Sequence, residues 1–122
     1  MNTDTQDFAH RIEITPNGRR CRVIHQGVTY ADTHASLTVV ESGLPAVHYF
    51  PRADVNMARL QRSIHVSHCQ HLGDATHYHL LTEDGPVENA AWSYEEPTGR
   101  AARIKGYLAF HASRVDRIDE TS

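Results

Sequence analysis

The densest group of reactive side chains lies in residues 63–80, SIHVSHCQHLGDATHYHL, which hold five of the ten histidines and one of the two cysteines. Imidazole and thiolate groups bind zinc, and they also serve as bases and nucleophiles. The segment is therefore compatible with a metal site, with acid–base catalysis, or with a histidine-rich surface that does no chemistry. Which of these applies depends on the side chains that share a face of the strand.

A tight turn around Gly73 predicts that this segment forms a β-hairpin. Because side chains alternate between the two faces of a strand, the expected pairing places His68 opposite His77, with His79 on the same face. Three imidazoles from two adjacent strands suit a zinc ion that keeps a fourth position for water. A shift of one residue in the register would separate them, so histidines without a chemical role are the alternative.

The other face of the same hairpin is expected to carry Cys69 and Tyr78 together. His65 lies about 13 Å from Cys69 along an extended strand, too far to act as its base. Cys69 could therefore be a nucleophile only if another element supplies the base. The alternative is a small, buried, apolar cysteine.

Carboxylates and aromatic side chains elsewhere indicate a pocket that holds a small organic molecule. For general acid–base chemistry in this pocket we predict four catalytic residues: Glu41, Tyr49, Cys69 and Tyr94. We predict four substrate-binding residues around them: Phe50, Arg52, Tyr78 and Trp92. Each has an ordinary structural alternative, such as a turn cap for Glu41 and core packing for Trp92 and Tyr94.

The composition is that of a folded globular domain that is not a nucleic-acid-binding protein. The 122 residues are 39% hydrophobic and carry a net charge of −3, with no dense basic stripe. The polar N-terminus lacks the apolar segment of a signal peptide, and no apolar run is long enough to span a membrane. Two distant cysteines do not make a disulfide framework. We expect a cytoplasmic protein without nucleic-acid or membrane partners.

Strand-length apolar runs bounded by glycine and proline predict about nine short strands and two short helices. The predicted strands lie at 20–31 (two strands around Gln26-Gly27), 35–41, 46–50, 63–70, 75–82, 87–94, 106–111 and 114–119. The last two are expected to pair as a hairpin, and the helices are expected at 55–61 and 101–105. No βαβ alternation is present, so we predict a mainly β fold, a compact antiparallel barrel or folded-over sheets. The single domain is expected at 10–119, between tails at 1–9 and 120–122.

Four stretches together resemble the family of the domain of unknown function numbered 427. They are VVESGLPAVHYFPRADV (39–55), HVSHCQHLGDATHY (65–78), ENAAWSYEEP (88–97) and IKGYLAFHASRVD (104–116). The resemblance covers residues 12–119 and implies a compact, mainly β, tent-like fold. The family is sometimes labelled nucleotidyltransferase-like, but this chain contains no nucleotide-binding motif.

The resemblance also separates the candidate residues. Cys69 and Tyr78 match the family pattern, whereas His68, His77 and His79 fall outside it. The family usually has Cys-Pro-x-Lys-Gly where this chain has CQHLG at 69–73, so a mechanism that needs the lysine charge does not transfer. The paired cysteines that bind zinc in many tent-like relatives are also absent.

Three functions remain open at this stage. The first is a small-molecule-binding domain that transforms its ligand by acid–base chemistry without a cofactor. The second is a metal-dependent site, with zinc on the His68, His77 and His79 face. The third is a non-catalytic binding or assembly module, for which a homo-oligomer is one form.

Overall fold

Ten antiparallel strands form three sheets in the computed structural model, which describes residues 10–122. The strands are β1 Ile12–Asn17, β2 Arg20–His25, β3 Val28–Thr33, β4 Ser36–Glu41, β5 Val47–Tyr49, β6 Leu60–Cys69, β7 Gly73–Leu80, β8 Val87–Pro97, β9 Leu108–Phe110 and β10 Arg117–Thr121. Short 3₁₀ helices lie at Arg52–Asp54, Met57–Arg59, Gly99–Ile104 and Ala112–Arg114. None of the helices in the described residues is long and apolar enough to cross a membrane.

The first sheet has the order β10-β2-β3, and its central hairpin turns at Gln26-Gly27. Both turn residues have positive φ, 50° and 73°, which matches the right-handed twist of the flanking strands. β10 pairs with the edge of β2 that β3 leaves free.

The second sheet has the order β1-β4-β5. Pro16 cannot donate a ladder hydrogen bond, and it is accommodated because β1 is an edge strand. Ile12 and Ile14 alternate with exposed residues and pack on the apolar interior. β4 presents Leu37 and Val39 to the same interior by the same two-residue period.

The third and largest sheet has the order β6-β7-β8-β9. Its first hairpin closes at Gly73, which pairs with Cys69 and has φ of 113°, a conformation that side chains disfavour. A Cβ at Gly73 would also lie 3.3 Å from the Glu96 carbonyl oxygen. Glycine therefore lets this hairpin pack tightly against the end of β8.

Two apolar cores lie on the two faces of the third sheet. The first core joins it to β2 and β3, and includes Val23, Tyr30, Tyr78 and Leu80. The second core joins it to β1, β4 and β5, and includes Leu37, Val39, Tyr49, Ala75 and Tyr94. Complete burial of a side chain such as Leu80 contributes about 2 kcal/mol to stability, so both cores hold the sheets together.

The mainly β class is confirmed, but the sheets of residues 10–122 stay separate and do not close into a barrel. The predicted strands are present, and β1 is a tenth strand that the sequence analysis missed. The predicted helix at 55–61 is wrong, because the chain forms a single 3₁₀ turn there and then extends as β6 from Leu60. The helix predicted at 101–105 is a 3₁₀ helix at Gly99–Ile104.

The predicted C-terminal hairpin is also wrong. β9 pairs with β8, whereas β10 crosses to β2 in another sheet. β10 extends to Thr121, so the strand continues past the expected domain end at 119. The tail expected at 1–9 lies outside the described residues.

Candidate functional site

The structure brings the four predicted catalytic residues together at the border of the second core. Glu41 is the last residue of β4 and continues the inward-facing row of Leu37 and Val39. Its side chain is only 15% exposed. Tyr49 and Tyr94 belong to the second core, and Cys69 packs against it. We call Glu41, Tyr49, Cys69 and Tyr94 the Glu41 cluster.

A bulge in β8 shapes this cluster. The register between β7 and β8 shifts between Asp74 and Thr76, so that Tyr94 and Glu95 both stand opposite Ala75. Tyr94 packs in the second core, whereas Glu95 contacts Tyr78 on the other face of the sheet. The extra residue therefore supplies one side chain to each face at the same point of the strand.

Tyr49 is fixed by the indole of Trp92. Trp92 Nε1 donates a hydrogen bond to the Tyr49 hydroxyl at 3.1 Å, and the rings meet edge to face at 6.1 Å between centroids. Burial raises the pKa of Tyr49 above the usual tyrosine range; Trp92 opposes the shift, and the nearby charges of Glu41 and Cys69 add to it. Because the hydroxyl keeps its proton and already accepts one bond from Trp92, it can act as a donor.

Tyr94 also has a raised pKa. Burial raises its pKa above the usual range, and Tyr49, Cys69, Glu41 and a hydrogen bond with Cys69 all act in the same direction. The rings of Tyr94 and Tyr49 lie 6.4 Å apart. The cluster therefore combines a carboxyl group with two phenols that remain protonated at neutral pH.

Three further residues surround Glu41 that the sequence analysis missed. His10 Nε2 lies 3.2 Å from Glu41 Oε2, and the His10 ring stacks on His71 at 3.8 Å. Arg100 donates a hydrogen bond to the His10 carbonyl at 2.8 Å and reaches His71 Nδ1 at 3.3 Å. The alternation of Ile12 and Ile14 was a signal that could have placed His10 on this face, but nothing in the sequence indicated Arg100.

The four predicted substrate-binding residues do not stay together. Trp92 supports the Glu41 cluster. Phe50 is completely buried in the first core, where its ring meets Phe110 at 5.8 Å. Arg52 and Tyr78 lie with Glu95 on the face of the third sheet that carries the first core. Cys69 and Tyr78 therefore occupy opposite faces, and the expectation that they share one is wrong.

Glu95 is the centre of a saturated ion-pair network, which we call the Glu95 network. Its carboxylate accepts hydrogen bonds from Tyr78 at 2.7 Å and Arg52 at 2.8 Å. Arg62 and Thr76 each approach its second oxygen at 3.3 Å. Burial raises the pKa of Glu95, but Tyr78, Arg62, Arg52 and Thr76 together outweigh it, so the net shift is downward.

The expected register of the histidine hairpin is wrong. His68 pairs with Asp74 and not with His77, and its Nδ1 lies 2.7 Å from the Asp74 carboxylate at the surface. His77 is buried on the other face. Within residues 10–122, the ligand atoms of His68, His77 and His79 do not form a group that could hold one metal ion. The structure does not bring the predicted zinc ligands together.

His77 instead belongs to a group of imidazoles. Its Nε2 lies 2.7 Å from Ser67 Oγ, and its ring lies 4.6 Å from His65 and 6.5 Å from His111. Burial lowers the pKa of His77, and the nearby His65 and His111 lower it further. His79 is separate, because its Nδ1 accepts a hydrogen bond from the Asn89 backbone at 3.0 Å.

Comparison with known families gives one match. The model of a family described as a domain of unknown function (DUF427) matches residues 13–121. The match contains every residue of the Glu41 cluster and confirms the resemblance drawn from the sequence. No curated protein matches this chain.

Proposed function

Since the chain belongs to the domain of unknown function family DUF427, whose description names no activity, we propose a function from geometry. The protein binds a small organic molecule at the Glu41 cluster and moves a proton on it. The observation that carries this proposal is the convergence of a carboxyl group, two protonated phenols and a thiol at the border of one apolar core.

Glu41 is the proton acceptor in this proposal. An ionised carboxylate has about four acceptor positions, and within residues 10–122 only His10 hydrogen-bonds to it. A base must have an unused lone pair that a substrate proton can reach. His10 lies beside the carboxylate and fixes its orientation, and it is in turn held by the stack with His71 and by Arg100.

Tyr49 and Tyr94 are the hydrogen-bond donors. Their raised pKa values keep the hydroxyl groups protonated, so that they donate hydrogen bonds to an oxygen atom of the ligand. Cys69 packs against the same core beside Tyr94. An acceptor opposite two donors suits a molecule with a carbonyl or hydroxyl oxygen next to an acidic C–H or O–H bond.

The apolar surroundings determine the rest of the ligand chemistry. Ile12, Val39 and Trp92 belong to or pack against the same core, so the bound molecule is partly apolar. The proposed proton transfer uses side chains alone and requires no cofactor.

The single tryptophan of the chain makes this proposal directly testable. Because Trp92 Nε1 is bonded to Tyr49, its indole N–H signal in a ¹⁵N NMR spectrum reports on the cluster. We expect small carbonyl and hydroxy compounds from a fragment library to shift this signal. The affinity measured from this shift should be at least about tenfold weaker in Glu41→Gln and in Tyr94→Phe. Each variant loses about 1.5 kcal/mol of polar interaction with the ligand.

Glu83→Gln, at an exposed turn, is the matched control and should bind like the wild type. Fragments that leave the indole signal unmoved, or that bind the Glu41→Gln and Tyr94→Phe variants unchanged, would contradict the proposed site. Deuterium exchange into the bound compounds then tests proton transfer. Exchange that is lost in Glu41→Gln supports catalysis, whereas binding without exchange identifies a non-catalytic module.

A further inference from the structure

A separate group of metal-ligating side chains lies where β5 of the second sheet approaches the first sheet. Cys21 of β2, His48 of β5 and Glu120 of β10 each offer one ligand atom, and these atoms all lie within 4.8 Å of one another. The three residues are far apart in the sequence. The group shares no residue with the Glu41 cluster or with the predicted histidine site.

The sulfur of Cys21 is surrounded by hydrogen-bond donors. Cys21 is completely buried, yet Ser36 Oγ lies 3.4 Å and Asn17 Nδ2 lies 3.9 Å from its Sγ, each placed to donate. Both groups leave the sulfur as the acceptor, which is also its role toward a metal ion. An ordinary core cysteine needs neither contact.

His48 is oriented so that its Nε2 atom is available to bind a metal ion. Its Nδ1 lies 2.9 Å from Thr38 Oγ1, and its Nε2 lies 3.9 Å from Glu120 Oε1. A histidine ligand normally uses its second nitrogen to hydrogen-bond an outer partner, which fixes the ring and its tautomer. Thr38 is placed to be this outer partner of Nδ1, so that the Nε2 lone pair faces Cys21 and Glu120.

The Asn17 amide now occupies the space between these acceptors. Its Nδ2 lies 2.5 Å from Glu120 Oε2 and 3.4 Å from Thr38 Oγ1, in addition to its contact with Cys21. Arg19 adds an exposed ion pair with Glu120 at 3.8 Å. One partial positive charge is thus shared among a sulfur, a carboxylate and a hydroxyl, which is the environment that a cation prefers. Metal binding would displace the Asn17 amide group.

We propose that Cys21, His48 and Glu120 bind a zinc ion, with water as the fourth ligand. Sulfur, imidazole nitrogen and carboxylate oxygen are the three ligand types of protein zinc sites. The thiolate and the carboxylate together neutralise the charge of the ion. The metal would join β2 and β10 of the first sheet to β5 of the second sheet, so it would connect two sheets that share no strand pairing in residues 10–122.

The test uses the full chain without a histidine tag, freed of metal by a chelator and titrated with cobalt(II). We expect one cobalt ion per chain, the intense visible bands of a tetrahedral ion, and a thiolate-to-cobalt charge-transfer band that zinc abolishes. Cys21→Ser should remove the charge-transfer band. Cys69→Ser is the matched control and should retain it.

Three further variants keep the test decisive if Cys21→Ser does not fold. His48→Gln and Glu120→Gln remove partly exposed ligands, and each should weaken cobalt binding by at least about tenfold. Thr38→Val should weaken it by about tenfold, because the His48 ring loses the partner of its Nδ1. A wild-type protein without a charge-transfer band would overturn the proposal. So would a band that survives both ligand variants, or cobalt binding that is lost only when His68, His77 and His79 are replaced by alanine.

Discussion

Glu41 and Glu95 are both partly buried carboxyl groups beside tyrosines, but they lie on opposite sides of the third sheet and use their oxygen atoms differently. Glu95 is bound by Tyr78, Arg52, Arg62 and Thr76 at 2.7–3.3 Å. Glu41 contacts His10 at 3.2 Å, its one hydrogen-bond partner within residues 10–122. Glu95 is therefore saturated with partners, whereas the Glu41 carboxylate has one partner within residues 10–122.

Our proposal that Glu95 is a structural carboxylate and Glu41 a functional one rests on this difference. Two arginines neutralise Glu95, and removal of either side of the network leaves a charge that is only partly solvated. Glu41 faces phenols that keep their protons, so its remaining lone pairs can accept from a ligand. Composition alone does not distinguish the two, since both are glutamates near the end of a strand.

The largest expected contrast is in stability. Glu95→Gln should lower the free energy of unfolding by about 2 kcal/mol, because Arg52 and Arg62 lose their counter-charge and Tyr78 loses a charged acceptor. The same substitution at Glu41 should cost less than about 1 kcal/mol. Urea denaturation of both variants measures the contrast. Equal losses would mean that Glu41 is also a structural carboxylate.

A smaller contrast is expected between the tyrosines of the two sides. Tyr78→Phe removes a hydrogen bond to a carboxylate and should cost about 1.5 kcal/mol. Tyr94→Phe removes a bond with the Cys69 thiol, a weak partner, and should cost about 0.5 kcal/mol. Urea denaturation compares the two at constant side-chain volume. A larger loss in Tyr94→Phe would contradict the assignment of Tyr94 to a ligand-binding role.

The strands could be predicted from the sequence because turn residues and apolar runs are local signals. Gln26-Gly27 and Gly73 each mark a hairpin, and the two-residue period of Trp92 and Tyr94 places both on one face. β1 was missed although Ile12 and Ile14 alternate with polar residues. Its last residues, Thr15, Pro16 and Asn17, are typical of a turn and masked the strand.

The pairings could not be predicted, because register depends on packing and on bulges that leave little trace in the sequence. The turn falls earlier than expected, with Cys69 opposite Gly73, so His68 pairs with Asp74, and Cys69 and Tyr78 lie on opposite faces. Glu41 and Tyr49 were grouped with Tyr94 by chemical type, and the structure brings them together. Their partners His10 and Arg100 lie ninety positions apart in the chain, and only the folded structure shows their contact.

The smallest predicted effect extends the comparison to a third set of buried ionisable groups, the His77 and His111 imidazoles. Burial lowers the pKa of both, and unlike Glu95 they gain no opposite charge in the described contacts. The unfolded chain therefore binds protons near the ordinary histidine pKa of 6.5 while the folded protein does not. By linkage, their contribution to stability is complete above pH 6.5 and is lost as the pH falls through their lowered pKa values.

We expect the thermal midpoint to fall between pH 7 and pH 5 and the fall to be smaller in His77→Gln, as measured by calorimetry. Glu95→Gln is the control, because the lowered pKa of Glu95 means that its contribution is lost only at pH values below the ordinary glutamate pKa of 4.5. An identical pH dependence in the wild type and His77→Gln would contradict a lowered pKa for His77 in the folded protein.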